Sequence, residues 1–343
     1  MATKIRAGDL ESERDAAVAL LARHVNPAYD GRRFDWLYRD NSAGRGRLWM
    51  AEDGSSGALV GVAGALPRWV SIDGDDVRAW VLADFCVDDR HRTLGPATQL
   101  QRACLDDLAA DGAAICYDFP SRAMEAVYRR LGVATGGRIR RLVRPLRSYR
   151  KLQEQLGSAV LARPLSALAD AALAWGVAAS RHLPIALHED RCGDEFTDLF
   201  RDVGPRYGAC VRRSAEYLNW RYRDNPVEPH HILTARVRGR LVGYSVVTTG
   251  AENACLVDVF GVPEPRIITA LARNTVAWLR QRGHGSVSFW LTDSHPWAAL
   301  LRGLGFRPRE SSPIVLHAPA ASRWKARAID PSHWFLTSGD RDA

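Results

Sequence analysis

Residues 81–108 read VLADFCVDDRHRTLGPATQLQRACLDDL, a stretch whose chemistry is that of an anion-binding turn. An apolar strand, Val81 to Val87, leads into Arg92-Thr93-Leu94-Gly95-Pro96-Ala97-Thr98. An amphipathic helix follows, with Leu100, Cys104, Leu105 and Leu108 on one face. A glycine-bearing turn at a helix N-terminus collects backbone N–H groups that point at an anion, and the helix dipole adds positive charge there. Gly95 lets the main chain approach the anion without a Cβ in the way. Arg92 adds a full charge at the entrance. Pro96 removes one N–H donor, although its fixed φ suits a first helical turn. The pattern predicts a diphosphate cradle.

Positioning that turn requires a sheet with helices around it. Apolar periodicity predicts a helix over 13–24, strands over 47–51 and 59–66, and a hairpin of 68–72 with 77–87 around Asp73-Gly74-Asp75. A helix over 97–110, a strand over 114–118, a helix over 124–131 and a last strand over 138–144 complete the unit. The fold class is α/β (α+β): a mixed, largely antiparallel central sheet flanked by helices.

The unit is then written a second time. WLYRDN (36–41) returns as WRYRDN (220–225), GALVGVAG (57–64) as GRLVGYSV (239–246), Asp84 as Asp258, and YRRLGV (128–133) as LRGLGF (301–306), all in the same order. Ordered landmarks of this kind imply an internal duplication with a period far too long for a solenoid. The expected division is a first unit over 1–145, a helical Ala/Leu-rich connector over 146–190, a second unit over 191–320 and a tail over 321–343. The repeated Trp and Tyr are expected in the core, and Arg39 and Arg223 beside local carboxylates. In the second unit the cradle is replaced by Pro263-Glu264-Pro265, without glycine and with a carboxylate where phosphates would go. That copy is expected to bind no such anion.

VDDRHRTLGPA resembles the cofactor loop of the GNAT superfamily of N-acetyltransferases, V-x-P-x-x-R-x-x-G-x-[GA]. SRAMEAVYRRLGV (121–133) resembles the family's N-x-x-A-x-x-x-Y-x-x-x-G-F, with Tyr128 on its tyrosine and Gly132 on its glycine. W-x-Y-R-D-N and YDFPS (117–121) resemble a bacterial subgroup that often carries a second, degenerate copy. The departures are Asp89 for Pro, Pro96 in the cradle, Ser121 for Asn, Met124 for Ala and Val133 for Phe.

The resemblance implies transfer of an acetyl or other acyl group from acetyl-CoA, or another acyl-CoA, to a primary amine. It implies a cofactor site made of Phe85, Cys86, Val87 and the turn Arg92, Thr93, Leu94, Gly95, Pro96, Ala97 and Thr98. A backbone N–H near Phe85 to Val87 would polarise the thioester carbonyl. Tyr128 would be the general acid to the leaving thiolate. Asp84 is the best candidate base, since regular strand alternation places Leu82, Asp84, Cys86 and Asp88 on one face; its alternative is a buried structural carboxylate, and Asp88 and Asp118 are weaker choices. The acceptor is expected in the cleft between the units, closed by the connector and by PSHWFLTSGDRD (331–342).

Bulk composition limits the alternatives. The net charge is +8, and much of it is Arg between 137 and 150, which favours an anionic partner. The expected acceptor is therefore a small anionic amine such as a nucleotide- or lipid-linked amino sugar. No nucleic acid is expected, peripheral membrane contact is the lesser alternative, and a monomer or a homodimer fits. Two rivals stand beside this reading. One is an aminoacyl-tRNA-dependent, FemAB-like transferase; the other is a non-catalytic binding protein. The six scattered cysteines have no metal-ligand spacing, so no metal is expected, and they point to reduced thiols in the cytoplasm. No secretory signal is visible at the N-terminus and no segment reads as a transmembrane helix.

Overall fold

The computed structural model describes residues 3–91, 94–148 and 182–341, with positions 153, 166, 169–171 and 180 between them. The expected connector over 146–190 lies for the most part outside the described residues.

One sheet runs through the whole molecule. Its first half is β1 (Thr3–Gly8), β2 (Arg47–Asp53), β3 (Leu59–Ile72), β4 (Asp75–Val87), β5 (Ile115–Asp118) and β6 (Thr135–Pro145). Its second half is β7 (Ile185–His188), β8 (Ala209–Val211), β9 (His230–Val237), β10 (Arg240–Thr249), β11 (Asn253–Gly261), β12 (Ser286–Thr292) and β13 (Arg307–His317), with β14 (Trp334–Phe335) on its flank. The order is β1-β2-β3-β4-β5-β13-β6-β12-β11-β10-β9-β7, and it reads the same from either end. From each end come three antiparallel pairings and one parallel pairing (β4 with β5, β11 with β12). At the centre the last strands cross over. β13 lies on β5 and β6 lies on β12, and the two exchanged strands pair with each other. Each half thus completes the other's sheet.

The β3–β4 hairpin turns through Asp73 (φ 52°) and Gly74 (φ 100°), the left-handed pair that a two-residue hairpin loop needs. A strand break is expected between Leu66 and Arg68, yet β3 runs straight through Pro67. On that flank β2 ends its pairing at Ala65 and β8 begins at Val70, so the proline falls where no strand claims its missing N–H.

Four helices belong to the first half: α1 (Arg14–His24), α2 (Gly31–Tyr38), α3 (Leu94–Ala110) and α4 (Arg122–Arg130). The caps are in the sequence: Asp30 accepts from the Arg33 amide at 2.9 Å and Ser121 from the Met124 amide at 3.2 Å. α3 and α4 bury Leu100, Cys104, Leu108, Val127 and Tyr128 against one sheet face. The other face, with α1 and α2, joins a continuous core that extends through the second half.

The hexamers meet in that core. Trp36 lies in the last turn of α2, and Trp220 lies in a π-helical turn, Asn219–Arg223. Their rings stack with centroids 5.2 Å apart. Arg39 pairs with Asp35 and Glu11 as expected, whereas Arg223 donates to the His188 carbonyl.

Candidate active site

β4 and β5 pair in parallel from Ala79↔Ile115 to Val81↔Tyr117 and then part. β4 continues to Val87, while the other chain turns away through Phe119 and Pro120. A cavity of about 490 Å³ opens in this fork, floored by β4 and walled by α1, α2, α3 and α4.

A bulge in β4 shapes the floor. Asp84 has φ 49°, and the register with β3 slips opposite it, between Val62 and Gly64. Before the bulge Val81 and Ala83 face the shared core and Leu82 faces the helices; after it Cys86 faces the core and Val87 the helices. The regular alternation that puts Leu82, Asp84 and Cys86 on one face therefore fails, because the extra residue moves everything beyond it by one position.

Asp84 lines the cavity and is otherwise buried. Its Oδ2 accepts from the Tyr29 hydroxyl at 2.6 Å and the Tyr38 hydroxyl at 2.9 Å. Tyr38 reaches it across Gly64, where a Cβ would collide with the phenol oxygen. This tyrosine of the repeated hexamer does more than fill the core. The counterpart Asp258 is held differently, by Arg213 at 2.8 and 3.2 Å, with Arg213 also bonded to Asp340 at 3.0 and 3.1 Å.

Tyr128 stands on another wall, fully buried except toward the cavity. Its hydroxyl donates to Asp118 Oδ2 at 2.6 Å. Burial, and then the charge and hydrogen bond of Asp118, push the phenol well above its ordinary range, so it holds its proton at neutral pH.

Phe85, Cys86, Val87 and Ala97 line the same cavity. Leu94, Gly95, Pro96 and Thr98 form the first turns of α3 beside Ala97, with Gly95 exposed and Thr98 buried. Arg92 and Thr93 lie outside the described residues. Sequence reasoning assigned no role in the site to His24, Tyr29, Arg33 or Gln101, and only packing to Tyr38. His24, Arg33 and Gln101 line the cavity, while the two tyrosines hold Asp84. No motif assigns His24, Tyr29 or Arg33 to the site, and the hexamer that holds Tyr38 does not show this contact, because α1 and α2 reach β4 through the fold alone.

In the second half the matching fork lies between β11 and β12, whose pairing ends at Leu256↔Phe289. Here the fork is filled by the chain itself. Thr337 bridges to Leu291 and bonds to Asp258, Ser338 accepts from the Trp290 amide, and Thr337 and Asp340 are fully buried. The expectation that 331–342 closes a cleft between the units is corrected: the segment instead fills this fork. The segment inserts into the second half; it also touches β5, where the Tyr117 hydroxyl donates to the Asp340 carbonyl at 3.2 Å, and Arg341 lies 5.6 Å over the ring of Phe119 on the cavity wall. Leu301 stands at the place of Tyr128 in the repeat and is buried.

No two of the cysteines form a disulfide, and burial pushes Cys116 up to about 12. Among the described residues no three His, Cys, Asp or Glu side chains are grouped to hold a metal, and no helix is long and apolar enough to cross a membrane.

Residues 6–136 match the family described as "Acetyltransferase (GNAT) domain". No curated protein sequence matches the chain. Among solved structures, a GCN5-related N-acetyltransferase from Anabaena variabilis superposes with a TM-score of 0.68 at 13% identity, over 92% of this chain and 73% of that one. A probable N-acyltransferase from Enterococcus faecalis gives 0.66 at 12% identity, over 93% and 73%. The N-myristoyltransferase of Saccharomyces cerevisiae with bound myristoyl-CoA gives 0.59 at 12% identity, over 92% and 82%. At such identities these likenesses speak for fold alone: the chain has the GNAT fold along nearly its whole length, and its residues 6–136 match the GNAT acetyltransferase domain family.

Proposed function

We propose that the chain is an N-acyltransferase that moves an acetyl or other acyl group from acyl-CoA to a primary amine in the fork between β4 and β5. The observation that carries this reading is that one cavity holds a carboxylate at a strand bulge, Asp84, and a protonated phenol, Tyr128, beside the start of α3. The residues present suit an acyl-CoA. Past Val81 the β4 main chain has left its β5 neighbour, which supports an N–H near Phe85 to Val87 as donor to the thioester carbonyl. The exposed Gly95 in the first turn of α3 leaves main chain accessible to a diphosphate, with Pro96 contributing no donor. Arg92, Thr93, Leu94, Ala97 and Thr98 complete that assignment.

In the reaction Asp84 receives the proton that the attacking amine must lose. The nitrogen–carbonyl bond forms, the carbon–sulfur bond breaks, and Tyr128 gives its phenolic proton to the thiolate. Asp118 holds that phenol in place until the sulfur arrives. The second half is read as a degenerate copy of the first, on the support of the palindromic strand order and the repeated landmarks, with its own fork filled by residues 334–340. It serves as scaffold and as a source of a sheet strand, not as a second catalyst.

Calorimetric titration with acetyl-CoA and with a long-chain acyl-CoA tests the reading, with Gly95→Glu as the blocked form. Micromolar binding by the wild type that disappears in Gly95→Glu supports it. No binding of either thioester sinks it.

A further inference from the structure

Five arginines lie on or beside the two helices, α1 and α2, that wall the cavity; three are neutralised nearby, and a fourth, Arg23, does not line the cavity. Arg14 is bonded to Asp35, Arg32 to Asp30, and Arg39 to Asp35 and Glu11. Arg33 is different. It lines the cavity, it has no carboxylate partner among the described residues, and its Nε is buried without a hydrogen bond. Its guanidinium carbon sits 4.9 Å from the centre of the Tyr29 ring, and it is the Tyr29 hydroxyl that bonds Asp84 at 2.6 Å. One aromatic ring thus separates an unpaired cation from a carboxylate, and both groups face the same space.

We propose that Arg33 is the specificity determinant for the acceptor, and that the acceptor is an amine carrying its own anion, a carboxylate or a phosphate a few bonds from the nitrogen. This rests on the acyltransferase reading of the cavity. The amine docks beside Asp84 as the free base, Asp84 takes the one proton it loses on attack, and the anionic end takes the planar donor fork of Arg33. A half-buried cation without a counter-ion is left unsatisfied by a neutral amine, so such an acceptor forfeits a charge-assisted contact. Tyr29 keeps the two ends apart, since its ring supports the guanidinium while its hydroxyl fixes the carboxylate.

The test uses matched amines with acetyl-CoA and follows release of the CoA thiol: β-alanine against propylamine for a carboxylate, and glucosamine 6-phosphate against glucosamine for a phosphate. We expect the anionic member of at least one pair to be favoured about tenfold to a hundredfold in kcat/KM, chiefly through KM, and the pair that responds identifies the anion. In Arg33→Gln that ratio falls to about one, and in Arg33→Lys, which keeps charge without the fork, it takes an intermediate value. Circular dichroism of both variants checks that the fold is kept. Equal use of both members in each pair, or a preference that survives in Arg33→Gln, overturns the role of Arg33 and leaves the acyltransferase reading standing. Thiol release with no amine at all overturns neither chemistry nor fold but shows hydrolysis without acceptor choice, and so also overturns this proposal. No thiol release under any condition takes down both.

Discussion

Trp36 and Trp220 each donate the indole N–H to the other's backbone carbonyl, both at 2.8 Å. Their rings stack, and a guanidinium covers each: Arg68 lies 4.7 Å over Trp220 and Arg221 lies 5.5 Å over Trp36. The reciprocity is what a local two-fold relation between the repeated hexamers requires. It also explains why both copies keep their tryptophan, since each satisfies a carbonyl in the opposite half.

Removing either indole N–H leaves a buried carbonyl without its donor. Trp36→Phe and Trp220→Phe are each expected to lower unfolding stability by about 1–3 kcal/mol. Because the rings touch, the double variant is expected to lose less than the sum, by about 0.5–1.5 kcal/mol. Urea titration of the four proteins in a double-mutant cycle measures this, and strict additivity would contradict the pairing.

Gly64 is needed for a reason outside its own strand. A Cβ there collides with the hydroxyl of Tyr38, which must then leave Asp84. Gly64→Ala is expected to reduce kcat far more than Tyr38→Phe does, since it moves the tyrosine bodily and presses on β4 at the bulge. The same variant is expected to lose about 1–3 kcal/mol from overpacking. Steady-state kinetics beside thermal melts separate the two effects.

For Tyr128→Phe the expectation is a fall in kcat of about 10²–10⁴, the range for a positioned general acid. Acetyl-CoA binding should persist in this variant. Asp118 loses its donor in the same step, so Asp118→Asn is a useful companion: it keeps an acceptor for the phenol while removing the charge. A Tyr128→Phe enzyme with wild-type kcat would remove the tyrosine from the chemistry.

Acid stability is expected to depend on two buried imidazoles. Burial and the nearby charge of Arg213 push His295 down to about 3, and burial, with Arg221, pushes His230 down to about 3. Both are neutral in the folded chain, whereas in the unfolded chain each protonates near 6.5. Their contribution is therefore complete above pH 6.5 and is lost progressively as the pH falls toward 3, by about 2 kcal/mol per histidine at pH 5. His295 accepts from the Trp297 amide at 3.2 Å, and Asn can supply the same acceptor. His295→Asn is expected to flatten the decline in urea midpoint between pH 7 and 5 by about half. An unchanged slope would show that other groups govern it.

Much of the first half is written locally. The Asp73-Gly74 turn, the Asp30 and Ser121 caps and the apolar stripe of α3 are short-range features, so strand and helix positions follow from the residues themselves. The GNAT resemblance of 92–97 and 121–133 likewise rests on contiguous motifs. Asp84, Phe85, Cys86, Val87, Ala97 and Tyr128, drawn from those readings, come together in one cavity.

What the chain alone determined is thus most of the elements of the first half, β1 and α2 excepted, and their order, because periodicity, caps and turn residues act over a few positions. The tertiary structure decided the rest. The bulge that turns Asp84 toward Tyr29 and Tyr38, the exchange of β6 and β13, the filling of the second fork by 334–340 and the unpaired Arg33 all arise from contacts between segments far apart in the chain. Such contacts are chosen by how surfaces pack and how buried charges find partners, and no local pattern of residues encodes them.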